Sequence, residues 1–321
     1  MPLAEWFVVE GIGEHRALLE ENGRIVAAKF DWPGELVPGQ VDEAVLIERR
    51  AGSPRGTVRL PSGATALIDR LPPNASEGAA IRVRVRRAAM QEAGRHKPAQ
   101  VRPTGDPLRP PPTLAERLGG RVVRSFGRDE WADIFHAAST GHWPFPKGEL
   151  NFFPTPAMTL VDIDGDLPPR ALALAAVGPL ARAIRLLDLS GSIGIDFPTL
   201  PSRDDRKAVD GALAEALADW PHERTAMNGF GFVQIVARAE APSLLHRVAF
   251  DRAGAEARYM INHAAELGGP GVTELAAHPA VVAALRGDWM EELKRRTARD
   301  VTVRSDPALA EMGWHAQIVP R

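Results

Sequence analysis

The sequence contains no cysteine among its 321 residues. Disulfide bonds and thiolate zinc sites are therefore excluded, and with them the small secreted scaffolds that depend on disulfides for stability. The composition is consistent with a reducing compartment, and we expect no zinc in this protein.

A long apolar run is also missing. No stretch approaches the roughly 20 apolar residues needed to cross a bilayer, and the opening MPLAEWFVVEGIGEH carries acidic residues where a signal peptide would be basic. We therefore expect a cytoplasmic protein that does not interact with a membrane. Hydrophobic residues make up 45% of the chain and charged residues 25%, which is typical of a folded globular protein.

The charges are unevenly distributed, although the formal net charge is only −2 at pH 7. Between residues 81 and 128 the sequence contains three acidic residues, Glu92, Asp106 and Glu116. The basic residues of the same stretch are Arg82, Arg84, Arg86, Arg87, Arg95, Lys97, Arg102, Arg109, Arg117, Arg121, Arg124 and Arg128. This basic belt indicates a surface that neutralises phosphates.

The first third of the chain has the pattern of short strands. EHRALLEENGRIVAAKF predicts a hairpin around Asn22-Gly23, because these residues readily adopt the positive φ angles of a tight turn. The runs QVDEAVLIERR, RGTVRLPSGATALIDRLP and AAIRVRVRRAAM follow with turn residues between them, and this spacing suggests a small barrel.

In the last of these runs, apolar residues alternate with Arg82, Arg84 and Arg86. One face of the strand is therefore expected to be buried and the other to present arginines to a phosphate backbone. The alternative is that the arginines only solvate an exposed strand.

The second half of the chain alternates strand with helix. MTLVDID, SIGIDF and GFGFVQIVAR predict strands, and PPRALALAAVGPLARAIRLLDL and RKAVDGALAEALADW predict helices. The stretch from Gly94 to Pro112 is rich in proline and indicates a linker, and residues 139–156 have the composition of a loop.

We therefore predict a multi-domain α+β protein. Its parts are an N-terminal β-hairpin (1–35), a small β module (36–93), a Pro-rich linker segment (94–150), an α/β domain (151–245) and a C-terminal helix-strand segment (246–321).

Three aspartates end two of the predicted strands. Asp162 and Asp164 are two residues apart, so in a strand they project from one face. Asp196 ends the next strand, and the helical crossover between them predicts two parallel neighbouring strands. Converging carboxylates suit Mg²⁺, or Mn²⁺ in its place. The alternative is that the acids only cap the turns and helices that follow them.

The run ARAIRLLDLSGSIGIDF, residues 181–197, resembles the A-R-x-L-R-L-x-D-L-x-G and I-x-I-D-F motifs of the ribonuclease E/G family. GFGFVQIVAR and the tail ELKRRTARDVTVRSDPAL are similar to later parts of that family. The resemblance implies a magnesium-dependent endoribonuclease that cleaves single-stranded RNA and leaves a 5′-phosphate. Asp162, Asp164 and Asp196 would then be its catalytic and metal-binding residues.

The resemblance also implies an S1-like barrel for the β module and a DNase I-like fold for the α/β domain. Arg124-Ser125 stands where the family has an Arg-Thr pair that binds a 5′-monophosphate, which makes the segment before residue 150 sensor-like. We expect RNA to be bound by six residues of the chain. They are Arg82, Arg84, Arg86, Arg124, Ser125 and Arg238.

The sequence departs from the family at several positions. Asp164 stands where the family has asparagine, and Phe197 is followed by Pro198 instead of leading to a second acid. Residues 236–239 replace a Thr-Arg-Gln-Arg stretch and keep Arg238 as their basic residue. Without the family's cysteine pair we expect no zinc-linked tetramer, and a homodimer stays open. A different function also stays open, that of an RNA-binding protein which keeps the fold but no longer cleaves.

Overall fold

The computed structural model describes residues 4–92, 95–127 and 130–320. The strands in these ranges are β1 (Ala4–Glu10), β2 (His15–Glu21), β3 (Arg24–Asp31), β4 (Val41–Arg49), β5 (Arg55–Arg59), β6 (Thr65–Asp69), β7 (Ala80–Arg87), β8 (Met90–Glu92), β9 (Arg95–Lys97), β10 (Ala99–Pro103), β11 (Arg121–Val122), β12 (His142–Phe145), β13 (Gly148–Pro154), β14 (Thr159–Gly165), β15 (Gly191–Asp196), β16 (Glu223–Arg224), β17 (Phe232–Ala237), β18 (Val272–Ala277), β19 (Val301–Ser305) and β20 (Trp314–Val319).

Helices are found mainly in the second half of the chain. They are α1 (Leu114–Leu118), α2 (Glu130–Thr140), α3 (Pro169–Leu186), α4 (Arg203–Ala216), α5 (Leu244–Phe250), α6 (Arg252–Glu266), α7 (Pro279–Ala284) and α8 (Gly287–Thr297). The predicted α+β class is confirmed. Among the helices in the described ranges, none combines the length and the apolar character needed to span a bilayer.

The β module is a closed barrel, as predicted. Its strand order is β10-β6-β5-β4-β7, with β10 closing the barrel between β7 and β6. In β7, Val83 and Val85 are buried in the barrel core while the alternate arginines remain partly exposed. The predicted orientation of the arginine strand is therefore confirmed.

The predicted Pro-rich linker is wrong in its first part. Residues 95–97 and 99–103 form strands β9 and β10, and Val101 is fully buried inside the barrel. Two apolar residues alternating with polar ones are enough for a barrel strand, but surrounding prolines obscure so short a pattern. Residues 93 and 94, on either side of the predicted boundary, and Arg128 of the basic belt lie outside the described residues.

The predicted N-terminal hairpin is present and belongs to a larger sheet. Its turn is at Asn22 and Gly23, both with positive φ, and β1 and β11 extend the sheet to the order β11-β1-β2-β3. Leu18 and Phe30 of this sheet share one apolar core with helix α3. The hairpin therefore packs against the α/β part of the chain.

A six-stranded mixed sheet forms the α/β part, in the order β12-β13-β14-β15-β17-β16. One face packs on α3 and buries Leu150, Val161, Ile195 and Val233. We call the other face the open face, since its side chains include Phe153 and Val236, which are 53% and 48% exposed.

The predicted loop at residues 139–156 is also wrong. These residues contribute strands β12 and β13 to the edge of the six-stranded sheet. The turn between them places Lys147 at a φ of 66°, a conformation for which the sequence carries no Asn-Gly signal.

A C-terminal module completes the chain. Its sheet has the order β19-β18-β20 and packs against α6, α7 and α8 around Met260, Leu275 and Leu293. The predicted helix-strand segment contains α8 and β19, but also α6, α7, β18 and β20, which the sequence did not indicate.

Stacked arginine and tryptophan side chains connect this module to the N-terminal sheet. The Arg258 guanidinium lies 3.7 Å from the ring centroid of Trp32 and 4.7 Å from that of Trp289. Trp32 Nε1 in turn donates to Glu14, which is 1% exposed and also pairs with Arg16 at 2.6 Å. The Arg258 guanidinium between the two rings thus joins α6 to α8 and to the residue that follows β3.

We expect Arg258→Ala to lower the free energy of unfolding by about 2–4 kcal/mol, because it removes two cation–π contacts and the packing of a long side chain. The loss also leaves the Gly13 carbonyl, which accepts from Arg258 Nε at 3.0 Å, without this donor. Urea unfolding followed by tryptophan fluorescence measures the effect. Arg252→Ala, at an exposed position of the same helix, should change the midpoint little, and equal effects of the two variants would refute the role of the stack.

Candidate active site on the open face of the sheet

Two of the predicted aspartates project from the open face at the end of strand β14. Val161 and Ile163 of this strand are buried in the core, and Asp162 and Asp164 alternate with them. The two-residue period of a strand gives the two carboxyl groups a common face. The prediction that they share a face is confirmed.

The third aspartate lies directly beside Asp162. Helix α3 connects β14 to β15, the two strands pair in parallel, and Asp162 is in register with Asp196. Register partners project from the same face of a sheet. The predicted meeting of the three aspartates at adjacent strand ends is therefore confirmed for the backbone.

The three carboxyl groups repel one another. Partial burial raises the pKa of Asp162 above its ordinary value, and the negative charges of Asp164 and Asp196 raise it further. Like charges held together in this way favour either a bound proton or a bound cation.

The side chains do not surround a common point. Across residues 4–92, 95–127 and 130–320, no three His, Asp or Glu side chains are grouped so as to hold a metal ion. The oxygen donors are of the kind that Mg²⁺ and Mn²⁺ prefer. Binding of one ion by all three aspartates would require their side chains to rotate toward one another.

Three polar residues of the neighbouring strands extend the site, and the sequence analysis missed them. Asn151 and Glu149 of β13 are in register with Asp162 and Asp164, and His142 of β12 is in register with Asn151. His142 Nε2 lies 2.8 Å from Glu149 Oε2, and Asn151 Nδ2 donates to Glu149 Oε1 at 3.3 Å.

Both hydrogen bonds stabilise the ionised carboxylate and lower the pKa of Glu149, with that from His142 contributing most. The alternation Glu149-Leu150-Asn151-Phe152, with two buried apolar residues, was the sequence signal for this strand. The reading of residues 139–156 as a loop obscured it.

Several arginines of the basic belt form ion pairs in the structure. Arg82 pairs with Glu43 at 2.9 Å, and Arg84 pairs with Asp106 at 2.5 Å. Arg117 pairs with Asp31 and Arg121 with Glu5, so acids distant in the sequence neutralise much of the belt. Arg82 and Arg84 are therefore less available to RNA than their strand position predicted.

Arg86 and Arg238 lie together in a groove between the barrel and the six-stranded sheet. We call it the arginine groove. Its volume is about 890 Å³. Six arginines line it against two acids, Glu48 and Asp69. The arginines are Arg50, Arg55, Arg86, Arg87, Arg102 and Arg238.

The arginine groove and the aspartates lie at opposite ends of the same strands. Gly191 of β15 pairs with Ala237, next to Arg238, whereas Asp196 pairs with Phe232 at the other end. A strand rises about 3.3 Å per residue, so these ends are about 17 Å apart. Side chains at 232, 234 and 236 alternate onto the open face, and Arg238 continues that series beyond the strand.

The predicted sensor residues are in a different place. Arg124 and Ser125 line a second groove together with Arg16, His263 and Arg296. Glu266 also lines this groove, and Arg16 and Arg296 pair with Glu14 and Glu292. Arg124 and Ser125 therefore line neither the arginine groove nor a groove that contains the aspartates.

No protein-family model matches this chain, and no curated protein matches it either. The resemblance to the ribonuclease E/G family therefore rests on the motifs quoted above and stays a prediction.

We expect Asp162→Asn to stabilise the protein at neutral pH without divalent ions. A raised pKa means that the folded state binds this proton more tightly than the unfolded state, so stability falls as pH rises from the ordinary aspartate pKa through the raised one. The gain should be at most about 1 kcal/mol, because solvent screens the site. Thermal unfolding at several pH values, with Asp166→Asn as control, measures it. Identical pH dependence of the wild type and Asp162→Asn would contradict the expectation.

Proposed function

We propose that the protein is a metal-dependent endoribonuclease that cleaves single-stranded RNA and leaves a 5′-phosphate, as members of the ribonuclease E/G family do. The observation that supports this proposal most is the register of Asp162 with Asp196, with Asp164 on the same face. Three acids on one face at neighbouring strand ends repel one another, and such a cost in stability is typical of functional sites.

Asp162, Asp164 and Asp196 would hold one divalent cation, Mg²⁺ or Mn²⁺. Their oxygen donors fit either ion, and a cation would relieve the repulsion that raises the pKa of Asp162. When bound, such an ion supplies charge neutralisation at a phosphodiester and lowers the pKa of a bound water.

The protein's own part in the chemistry is to position the phosphodiester on the open face. The sheet fixes the backbone of the three aspartates on rigid strands, so only their side chains would have to rotate to reach one cation. Asn151 and the Glu149–His142 pair border the site on one side and offer hydrogen-bonding groups to the sugar-phosphate backbone. Phosphoryl transfer depends mainly on such positioning and on charge.

RNA binding would use the arginine groove and the barrel beside it. The excess of arginine over acid there matches the phosphate backbone. A barrel next to a cationic groove supports an S1-like role for this module, and a mixed sheet with acids at its strand ends supports a DNase I-like role for the α/β part. We include Arg86 and Arg238 among the RNA contacts. Arg238 pairs with Glu240 at 3.3 Å but is 64% exposed, whereas the closer pairs of Arg82 and Arg84 with acids make these two contribute less.

Single strands fit the site better than duplexes do. A single strand can follow the open face from Arg238 to Asp196, with its bases turned toward exposed apolar side chains such as Val236 and Leu160. A duplex presents mainly its phosphates and sugars to such a surface.

A second function is an RNA-binding protein that does not cleave. It is favoured by the absence, among the described residues, of three acids grouped to hold a metal ion. It is also favoured by Pro198-Thr199 after Phe197, where the family's D-F-I-D motif has its second acid. Incubation of purified protein with labelled RNA and Mg²⁺ distinguishes the two functions, since only a nuclease produces cuts that EDTA prevents.

Asp196→Asn should lower the rate of Mg²⁺-dependent RNA cleavage by about a hundredfold or more, because it removes one charged oxygen ligand of the cation. RNA binding in EDTA and the melting temperature should hardly change, since Asp196 is exposed. Cleavage of a labelled unstructured oligonucleotide is the measurement, and Glu215→Gln on the exposed surface of α4 is the control. Wild-type rates from Asp196→Asn would disprove the assignment.

Replacing Arg86 and Arg238 by alanine should weaken RNA binding and reduce its salt dependence. Each lost phosphate contact lowers the slope of log K against log salt by about 0.7 for a single strand, so the double variant should lose about 1.4. Fluorescence anisotropy between low and moderate salt gives the slope. Arg82→Ala, which breaks the pair with Glu43, should change the slope less, and an equal change would show that the groove has no special role.

A further inference from the structure

Apolar side chains form a ledge on the open face, next to the aspartates. We use the name apolar ledge for Met158, Leu160 and Phe232, which meet over Gly194. A Cβ atom at position 194 would lie 2.5 Å from Phe232 Cζ and 2.8 Å from Met158 Sδ, so a larger residue there would displace the ends of these side chains. Leu160 is nevertheless 37% exposed. The side chains of the ledge thus pack against one another, and their outer surface is exposed to solvent.

Phe230 is the most exposed large apolar residue near the aspartates, with 81% of its surface accessible. It lies in the turn before β17, where the Asn228 side-chain oxygen accepts from the backbone N–H of Phe230 at 2.9 Å and of Phe232 at 3.1 Å. Gly231 follows it with a φ of +95°. These bonds hold the turn, so the exposed ring is presented on an ordered support.

The aspartates lie between these two apolar features. Leu160 and Gly194 precede Asp162 and Asp196 by two residues on the open face, which corresponds to about 7 Å along the strands. The Phe232 backbone is in register with Asp196, while its ring lies over Gly194 as part of the ledge. Phe230 precedes Phe232 by two residues, on the side of Asp196 away from Gly194. A phosphate held at the aspartates would therefore have an apolar surface on each side.

We propose that the apolar ledge and Phe230 each bind a nucleobase, on the two sides of the phosphate that the aspartates hold. This inference rests on the proposed function and adds to it a binding site for two bases. Stacking on an aromatic face tolerates any base, because every base has a π-face. The loss of one such contact weakens binding by about 5- to 150-fold.

A second copy of the chain is the other occupant that an apolar face attracts. Two-fold packing of the ledge on itself would place the Asp162, Asp164 and Asp196 groups of both copies along one interface. Like charges facing each other across an interface oppose association. Bases on a single strand avoid this repulsion, and the arginine groove continues the same path at the far end of β17.

The test measures binding of single-stranded RNA in EDTA, where no metal-dependent cleavage occurs. Oligonucleotides carry one 2-aminopurine or one abasic residue at each position in turn, and the proteins are the wild type, Phe230→Ala and Phe232→Leu. Val303→Ala removes an exposed apolar residue from β19, in the C-terminal sheet and away from the aspartates, and is the control. Light scattering records the oligomeric state of each protein.

We expect 2-aminopurine fluorescence to be quenched at two positions on wild-type protein. Phe230→Ala should weaken binding of intact RNA about tenfold, and hardly at all when the stacked base is already absent. An equal loss on abasic RNA would overturn the proposal, and so would a variant that turns a dimer into a monomer.

The outcomes separate this inference from the nuclease function. Stacking without Mg²⁺-dependent cleavage would overturn only the nuclease activity, and cleavage without stacking would overturn only the base-binding site. A wild-type protein that binds no RNA would refute both.

Discussion

The parallel pairing of β14 with β15, in the register that sets Asp162 beside Asp196, is the constraint on which the rest of the site depends. Parallel neighbours need a crossover, and helix α3 provides it by burying its apolar side against one face of the sheet. The N-terminal sheet packs on the same side, since Leu18 and Phe30 share the core of α3. Helix α3 and the N-terminal sheet therefore both cover the same face of the six-stranded sheet. The polar side chains at the strand ends lie on the open face.

Much of this arrangement could be predicted from the sequence, because it follows from short-range periodicity. Alternation in TLVDID places Val161 and Ile163 inside and Asp162 and Asp164 outside, and the length of the following helical run indicates the parallel neighbour. The hairpin at Asn22-Gly23 and the arginine strand of the barrel were predictable for the same reason. In each case one local pattern determines one local geometry.

The remaining features depend on contacts between distant segments. Strand β10 closes the barrel with only two buried residues, Ala99 and Val101, in a proline-rich context. Arg82 pairs with Glu43 on another strand, so the segment's own sequence does not show how much of its positive charge is neutralised. Glu149, Asn151 and His142 came into the site through the pairing of β12, β13 and β14, which no local signal specified.

Under the proposed function, the length of strand β15 would set the minimum length of RNA that the site can bind at both ends. The side chains that would bind the polymer and those that would cut it belong to opposite strand ends, which are about 17 Å apart on two paired strands of fixed length. An RNA too short to reach from Arg238 to Asp196 would contact only one of the two sites. A longer RNA would contact both at once and would stay bound between successive cuts. Selection for chain length would thus come from the backbone geometry of a sheet rather than from the recognition of any base.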